Sequence, residues 1–302
     1  MSDQALTSSS IATLEEIAEQ QQQGSERRRI WRRFKRYRPA LVGLSMIGLL
    51  VFMAIFAPLI APYPPDEINT PLRGAGPSAD HWLGNDDIGR DILSRIIYGS
   101  RIALIVGLGA TAIAVTIGVT VGATAGYFGG RVDFILSRLV DTLMSFPLLA
   151  LLLTLSAVFG PSLRNVVIVI GLTVWASYAR LVRAEVLSLR ERDFILAARA
   201  SGADDRRIIF RHIVPNALGP VIVIASLAIG GIIILESALS FLGLGVSRPT
   251  ASWGTMLSDG REFIRNYPHI AIAPGIAITL TVLSFNLVGD GLRDALDPRQ
   301  KE

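Results

Sequence analysis

The sequence predicts an all-α, polytopic membrane protein with six transmembrane helices. Three observations carry that expectation. Of 302 residues, 51% are hydrophobic and only 18% charged, with mean hydropathy +0.48; so apolar a chain does not suit a water-soluble domain. The apolar residues fall into six runs, each near the ~20 residues a helix needs to cross a bilayer core. Lys and Arg crowd the segments on one side of those runs, 21 against 7, with Arg101 at a boundary.

In chain order, residues 1–39 form a basic N-terminus. Its first 26 residues, with Ser8–Ser10 and Gln20–Gln23, read as disordered or at most a short amphipathic helix around Leu14 and Ile17. The Arg-rich run from Arg27 to Arg38 reads as a membrane anchor against anionic headgroups, not a nucleic-acid patch. The first span covers 40–63. It is too long, and too far from the start, for a cleaved signal peptide, so it reads as retained. An external loop covers 64–101. A core of five helices follows over 102–290, with spans at 102–128, 134–160 (Pro147 inside), 165–181, 217–242 and 270–288. It includes a cytoplasmic loop at 182–216 and an external loop at 243–269. The tail is 291–302. The basic bias sets both termini in the cytoplasm of a bacterial plasma (inner) membrane. Gly107, Gly109, Ala110, Gly118, Gly122 and Ala125 allow close helix approach.

Several chemistries are excluded. There is no cysteine, hence no disulfide and no thiolate site. His81, His212 and His269 lie far apart, with no second ligand at metal spacing. The only lysines are Lys35 and Lys301, and neither sits in a G-x-x-x-x-G-K-[ST] cradle. If ATP drives this protein, another chain binds it. No nucleophile–base pair or carboxylate dyad stands in a recognisable frame, so the chain is not expected to be an enzyme.

The 182–216 loop is the most heavily charged segment between spans. Asp193 can cap or charge-stabilise a helix start. Phe194, Ala197 and Ala198 recur at helical spacing. Gly202 ends that helix, since glycine accepts positive φ cheaply. Asp204 offers a second cap, Arg206–Ile213 continues as helix, and Pro215 marks the start of the fifth span. The product is a short surface helix with small alanine faces that a partner groove can hold.

This segment, DFILAARASGADDRRIIFRHIVP, resembles the EAA loop of binding-protein-dependent ABC permeases, most closely the dipeptide/oligopeptide/nickel class. Of the pattern E-A-A-x3-G-x9-I-x-L-P it keeps Ala197, Ala198, Gly202 and Pro215. Leu196 stands at the Glu position, His212 at the Ile and Val214 at the Leu. Gly126–Asp133, Leu83–Arg101, Ser252–Ile264 and Phe285–Arg299 are similar to the same class, so the likeness spans about residues 30–300. It implies a type I ABC-importer permease fold and the second, C-type permease of a heteromeric importer. It further implies a homologous permease partner, two ATP-binding subunits carrying the ATP and Mg, a soluble or lipid-anchored solute-binding protein, and no cofactor in this chain. Peptides are the implied cargo; nickel, glutathione, opines or oligosaccharides are the alternatives, and a stand-alone transporter or channel a more distant one. ATPase coupling is implied for Asp193, Phe194, Ala197, Ala198, Arg199, Gly202, Ala203, Arg207 and Pro215.

Outside the loop the signals are weaker. Asp86 and Asp87, with Trp253 and Asp259, either meet the binding protein or the pathway, or pack within the external loops. Glu236 either lines the pathway or is a buried hydrogen-bond acceptor. Arg138 and Asp141, three apart, are expected to pair on one helix face.

Overall fold

A computed structural model describes residues 29–296. The readings of residues 1–26, Arg299 and Lys301 lie outside these. Among the described residues the chain is helical, with one isolated antiparallel bridge, Asn85 to Asp91.

Helix α1 (Arg38–Ile60) opens with Pro39 in its first turn, where a missing N–H does no harm. It packs along the final helix, and a Cβ on Gly43 would come within 2.8 Å of Leu287 Cβ. Helix α2 (Ile92–Phe128) begins ten residues earlier than the expected span. Asp91 causes this by capping it: its carboxylate accepts from the Ser94 N–H at 2.7 Å. At 37 residues, α2 is about 55 Å long, well beyond a bilayer core.

The expected third span is broken. Helix α3 (Gly130–Ser145) and helix α4 (Leu148–Phe159) meet at 88°. Proline at 147 is the cause: it forces Phe146 into an extended conformation and then starts the second piece. Helix α5 (Leu163–Leu189) is capped by the Ser162 hydroxyl, which accepts from the Asn165 N–H at 3.1 Å. It packs closely on α2, because Gly118, Gly122 and Gly126 form a smooth stripe there. A Cβ on Gly122 would sit 2.8 Å from Val182 Cβ.

Helix α6 (Asp193–Ala200) lies beyond α5. From Asp205 the chain runs as one 37-residue rod to Phe241. The rod comprises a first turn at Asp205–Arg207, a π-helical turn at Ile208–Ile213, and helix α7 (Val214–Phe241). Helix α8 (Trp253–Gly260) is short and carries a Ser252/Thr255 capping box. Helix α9 (His269–Leu296) is the last described element.

Helices α1, α2, α5 and α9 and the rod ending in α7 are long and apolar enough to cross a membrane; the bent α3–α4 pair makes a sixth if it is one span. The expected Arg138–Asp141 pair does not form. Asp141 instead accepts from Arg180 on α5 at 2.9 Å, and Arg138 lies over the Phe134 ring, 5.3 Å from its centroid. A partner on another helix outcompetes the local one.

Candidate docking hairpin and the cap at the opposite end

The C-terminal end of α2 and the start of the rod share one apolar core. Ile195 of α6 and Ile208 and Ile213 of the π turn are wholly buried there with Val182, Val186 and Tyr127. Ala198 and Ala203 pack against its edge. The alanine face of α6 is thus divided: Ala198 faces inward while Ala197 is exposed. Gly202 adopts φ +80, and the Ala203 N–H bonds back to the Ala198 carbonyl at 3.1 Å, closing the turn. Asp193 sits in the first turn of α6, where the helix dipole favours a carboxylate.

Asp204 occupies the next N-cap position but its side chain makes no cap bond. Asp205 does the tying instead, accepting from the Tyr127 hydroxyl at 2.5 Å. Arg199 lies over the same ring, 5.1 Å from its centroid. Arg190 donates to the Gly126 carbonyl at 3.3 Å. Arg183 forks onto Asp133, with Nη2 to Oδ2 at 2.7 Å, and joins α5 to α3.

The π turn has a definite effect. In an α-helix, residues five apart point to different faces. The wider turn aims both Ile208 and Ile213 at the core. It leaves Phe210 outside, 67% exposed. Phe194 and Leu196 are also exposed, at 44% and 50%. Asp193, Ala197, Arg199, Gly202, Arg207 and Pro215 share this exposure. Of the residues singled out in the sequence, the structure brings the whole hairpin set onto one short segment. Phe210 was missed, because an Ile-Ile-Phe run reads as core.

At the other end, residues 81–101 and α8 form a cap. Arg90 bonds Asp86 at 2.6 Å and Asp259 at 3.1 Å. Arg95 stands 3.6 Å from Asp86 and donates to the Pro65 carbonyl at 3.2 Å. Arg248 also reaches Asp259. Asp86, Arg90, Arg95 and Asp259 have side chains less than a tenth exposed. Trp253 is buried; its indole donates to the Ile96 carbonyl at 3.1 Å and its ring lies against Gly99. Burial turns Asp86, Asp259 and Trp253 from candidate surface contacts into the internal frame of the cap. Asp87 stays partly exposed, and burial together with the nearby Asp86 and Asp259 pushes its carboxyl above the usual carboxylate range. Glu236 is buried near the cap and accepts from Ser240 at 2.6 Å. Of its two readings, the hydrogen-bond acceptor is the one the geometry matches.

The long apolar helices make this a multi-pass membrane protein, with one end closed on itself by buried ion pairs and the other bearing an apolar-tipped hairpin. Residues 118–302 match the family described as "Binding-protein-dependent transport system inner membrane component", and residues 25–77 match the "N-terminal TM domain of oligopeptide transport permease C". The chain belongs to this family of permeases. Among its relatives is the dipeptide transport system permease protein of Alkalihalophilus pseudofirmus, 46% identical over 91% of this chain and 90% of that one. The oligopeptide transport system permease protein of Bacillus subtilis is 42% identical over 89% and 88%. The glutathione transport system permease protein of Escherichia coli is 44% identical over 90% of each. A crystal structure of an amino acid ABC transporter with histidines overlaps 66% of this chain at TM-score 0.47 and 20% identity.

Proposed function

We propose that this chain is the C-type permease of an ATP-driven importer that carries peptides into the cytoplasm, with the 193–215 hairpin as its contact to separate ATPase subunits. The observation that carries the coupling is the hairpin's construction. Its inner face is locked by Ile195, Ile208 and Ile213, while Phe194, Leu196 and Phe210 stand in the open. A groove that covered those three half-exposed side chains would gain about 1–2 kcal/mol from each, and the locked base would pass the push into the rod. The hairpin lies at the basic-rich side of the chain, which the positive-inside rule assigns to the cytoplasm.

The partners are a second, homologous permease, two ATPase subunits that bind ATP and Mg, and a solute-binding protein, soluble or lipid-anchored. ATP-driven closure of the ATPases shifts the hairpins, and the two permeases rock between inward and outward openings. Peptide cargo is supported by the dipeptide and oligopeptide relatives. The glutathione relative keeps a γ-linked tripeptide as the second reading.

The test is a tagged pull-down from mild detergent, expressed with the partner genes. A second permease and P-loop ATPases are expected with the wild type. Gly202→Glu is expected to lose the ATPases while keeping the permease. No atom lies within 4 Å of the Gly202 Cβ position, so the added side chain meets the partner and not this chain. Gly202→Asn tolerates positive φ and controls for backbone strain. Retention of the ATPases by Gly202→Glu would sink the coupling assignment.

A further inference from the structure

Two features of the α3–α5 face are badly suited to hydrocarbon, and both point outward. The first is the Asp141–Arg180 ion pair, which joins α3 to α5 at 2.9 Å with side chains 51% and 55% exposed. Asp141 lies seven residues, about 10 Å, inside the expected third span, and Arg180 stands beside it at the cytoplasmic end of the fourth. Charged groups at such depth face a bundle interior or water, not lipid. The second is the break between α3 and α4. Ser145, Phe146 and Pro147 are exposed where the chain turns 88°. A helix end leaves backbone carbonyls without intrahelical partners. Non-helical backbone at membrane depth survives only when covered by protein or lining a water-filled space.

A concavity of about 260 Å³ adjoins the pair, lined by Gly122, Ser137, Val140, Asp141, Arg180 and Arg183, among others. The charged groups facing it are Asp141, Arg180 and Arg183, the last already held by Asp133. Beside it the hydroxyls of Thr142 and Ser145 are exposed and bonded to their own helix's carbonyls at 2.8 and 2.7 Å.

We infer that this face is a wall of the translocation pathway, and that Asp141 and Arg180 meet the two charged ends of a zwitterionic peptide. The inference rests on the peptide-import reading. The ammonium end replaces Arg180 at Asp141, and the carboxylate end takes the guanidinium fork of Arg180. The pair thus holds the empty pathway neutral and opens for a ligand of matching charge. A face sealed against the second permease would have to strip water from both charges, a loss their mutual attraction does not reliably repay. A watered wall avoids that.

The absence of cysteine makes the test clean. Thr142→Cys and Ser145→Cys are made separately in the assembled complex, with Ile55→Cys on the exposed side of α1 as the reference. A membrane-impermeant cationic methanethiosulfonate is applied from the hairpin side. Labelling at 142 and 145 is expected at least tenfold faster than at 55, and at least threefold slower when dipeptide and binding protein are present during turnover. Rates equal to the reference would mean that lipid or the second permease covers the face, and would overturn the inference.

The charge role is read separately. Asp141→Asn and Arg180→Gln are each expected to lower the maximal dipeptide uptake rate about tenfold with KM unchanged, since the binding protein sets KM. A merely structural pair would be restored by the swap Asp141→Arg with Arg180→Asp; full recovery there removes the zwitterion role. Labelling does not depend on the cargo. If both sites label as expected but the wild type takes up no peptide, the peptide reading and the zwitterion role fail and the wall stands. If peptide is taken up and neither site labels, the wall fails.

Discussion

At the cap end, Asp86, Arg90, Arg95 and Asp259 are nearly sealed and answer one another's charge, whereas at the hairpin end Phe194, Leu196 and Phe210 stand about half or more in the open. The cap uses its polar groups on itself, and its one large aromatic anchor, Trp253, is buried against Gly99. The hairpin does the reverse: it hides only the isoleucines that fix it and leaves apolar surface outside. The difference separates strength from recognition. Substitutions in the cap should act on stability first, and substitutions on the hairpin's outer face on partner affinity first.

The sharpest way to break that contrast is Arg90→Ala. It leaves Asp86 and Asp259 only the longer contacts to Arg95 and the ion pair to the exposed Arg248, and removing one partner from a buried pair costs up to about 3–5 kcal/mol. A large fall in the thermal unfolding midpoint in detergent is expected; an unchanged midpoint would mean the cap is not a sealed network. Next is Ile195→Ala, which removes the hairpin's buried anchor and costs about 2–5 kcal/mol. It should lower both stability and ATPase recovery although Ile195 touches no partner. Phe210→Ala should then divide the two quantities. Stability should stay within about 0.5 kcal/mol, while affinity for purified ATPase falls at least tenfold, about 1.4 kcal/mol. Equal loss of both would place Phe210 in the fold and not in the interface.

The smallest expected effect is at Asp87. Its carboxyl titrates above the usual range in the folded protein. A raised acid favours the fold while it is protonated, below its unfolded value of 3.8, and loses that contribution as pH rises through the folded value. Asp87→Asn should therefore stabilise the cap near neutral pH, with the gain fading on acidification towards pH 4. A gain that grows on acidification would reverse the sign.

Much of this was legible in the sequence, and unevenly. Run length suffices for five of the six expected spans, because lipid permits so few alternatives. The hairpin was legible through Gly202 and Pro215, residues whose backbone demands are local. The α3–α4 break was written as Phe146–Pro147, but a proline within an apolar run also fits an intact span supported by its neighbours. Only the tertiary arrangement decides between them. Asp141 shows the same limit: spacing offers Arg138 three residues away, yet the pair forms with Arg180, thirty-nine residues on. Burial of Asp86 and Asp259 was invisible because their shared partner, Arg90, lies 169 residues from Asp259. The π turn had no sequence signal at all; two buried isoleucines five apart reveal it only once the core is seen.

The unbroken run from Asp205 to Phe241 has a mechanical meaning. Thirty-seven helical residues make a shaft of about 55 Å. One end is gripped at Tyr127 and Ile208, and the other carries Glu236 and Ser240 under the cap. Tilting such a shaft by roughly ten degrees at the hairpin sweeps its far end through about 10 Å. A modest displacement at one surface would thus become a gate-sized movement at the other by leverage, with no relay of side chains in between. Within the shaft, the π turn is the natural place for flexure, so stiffening that turn should change how far the shaft swings for a given push.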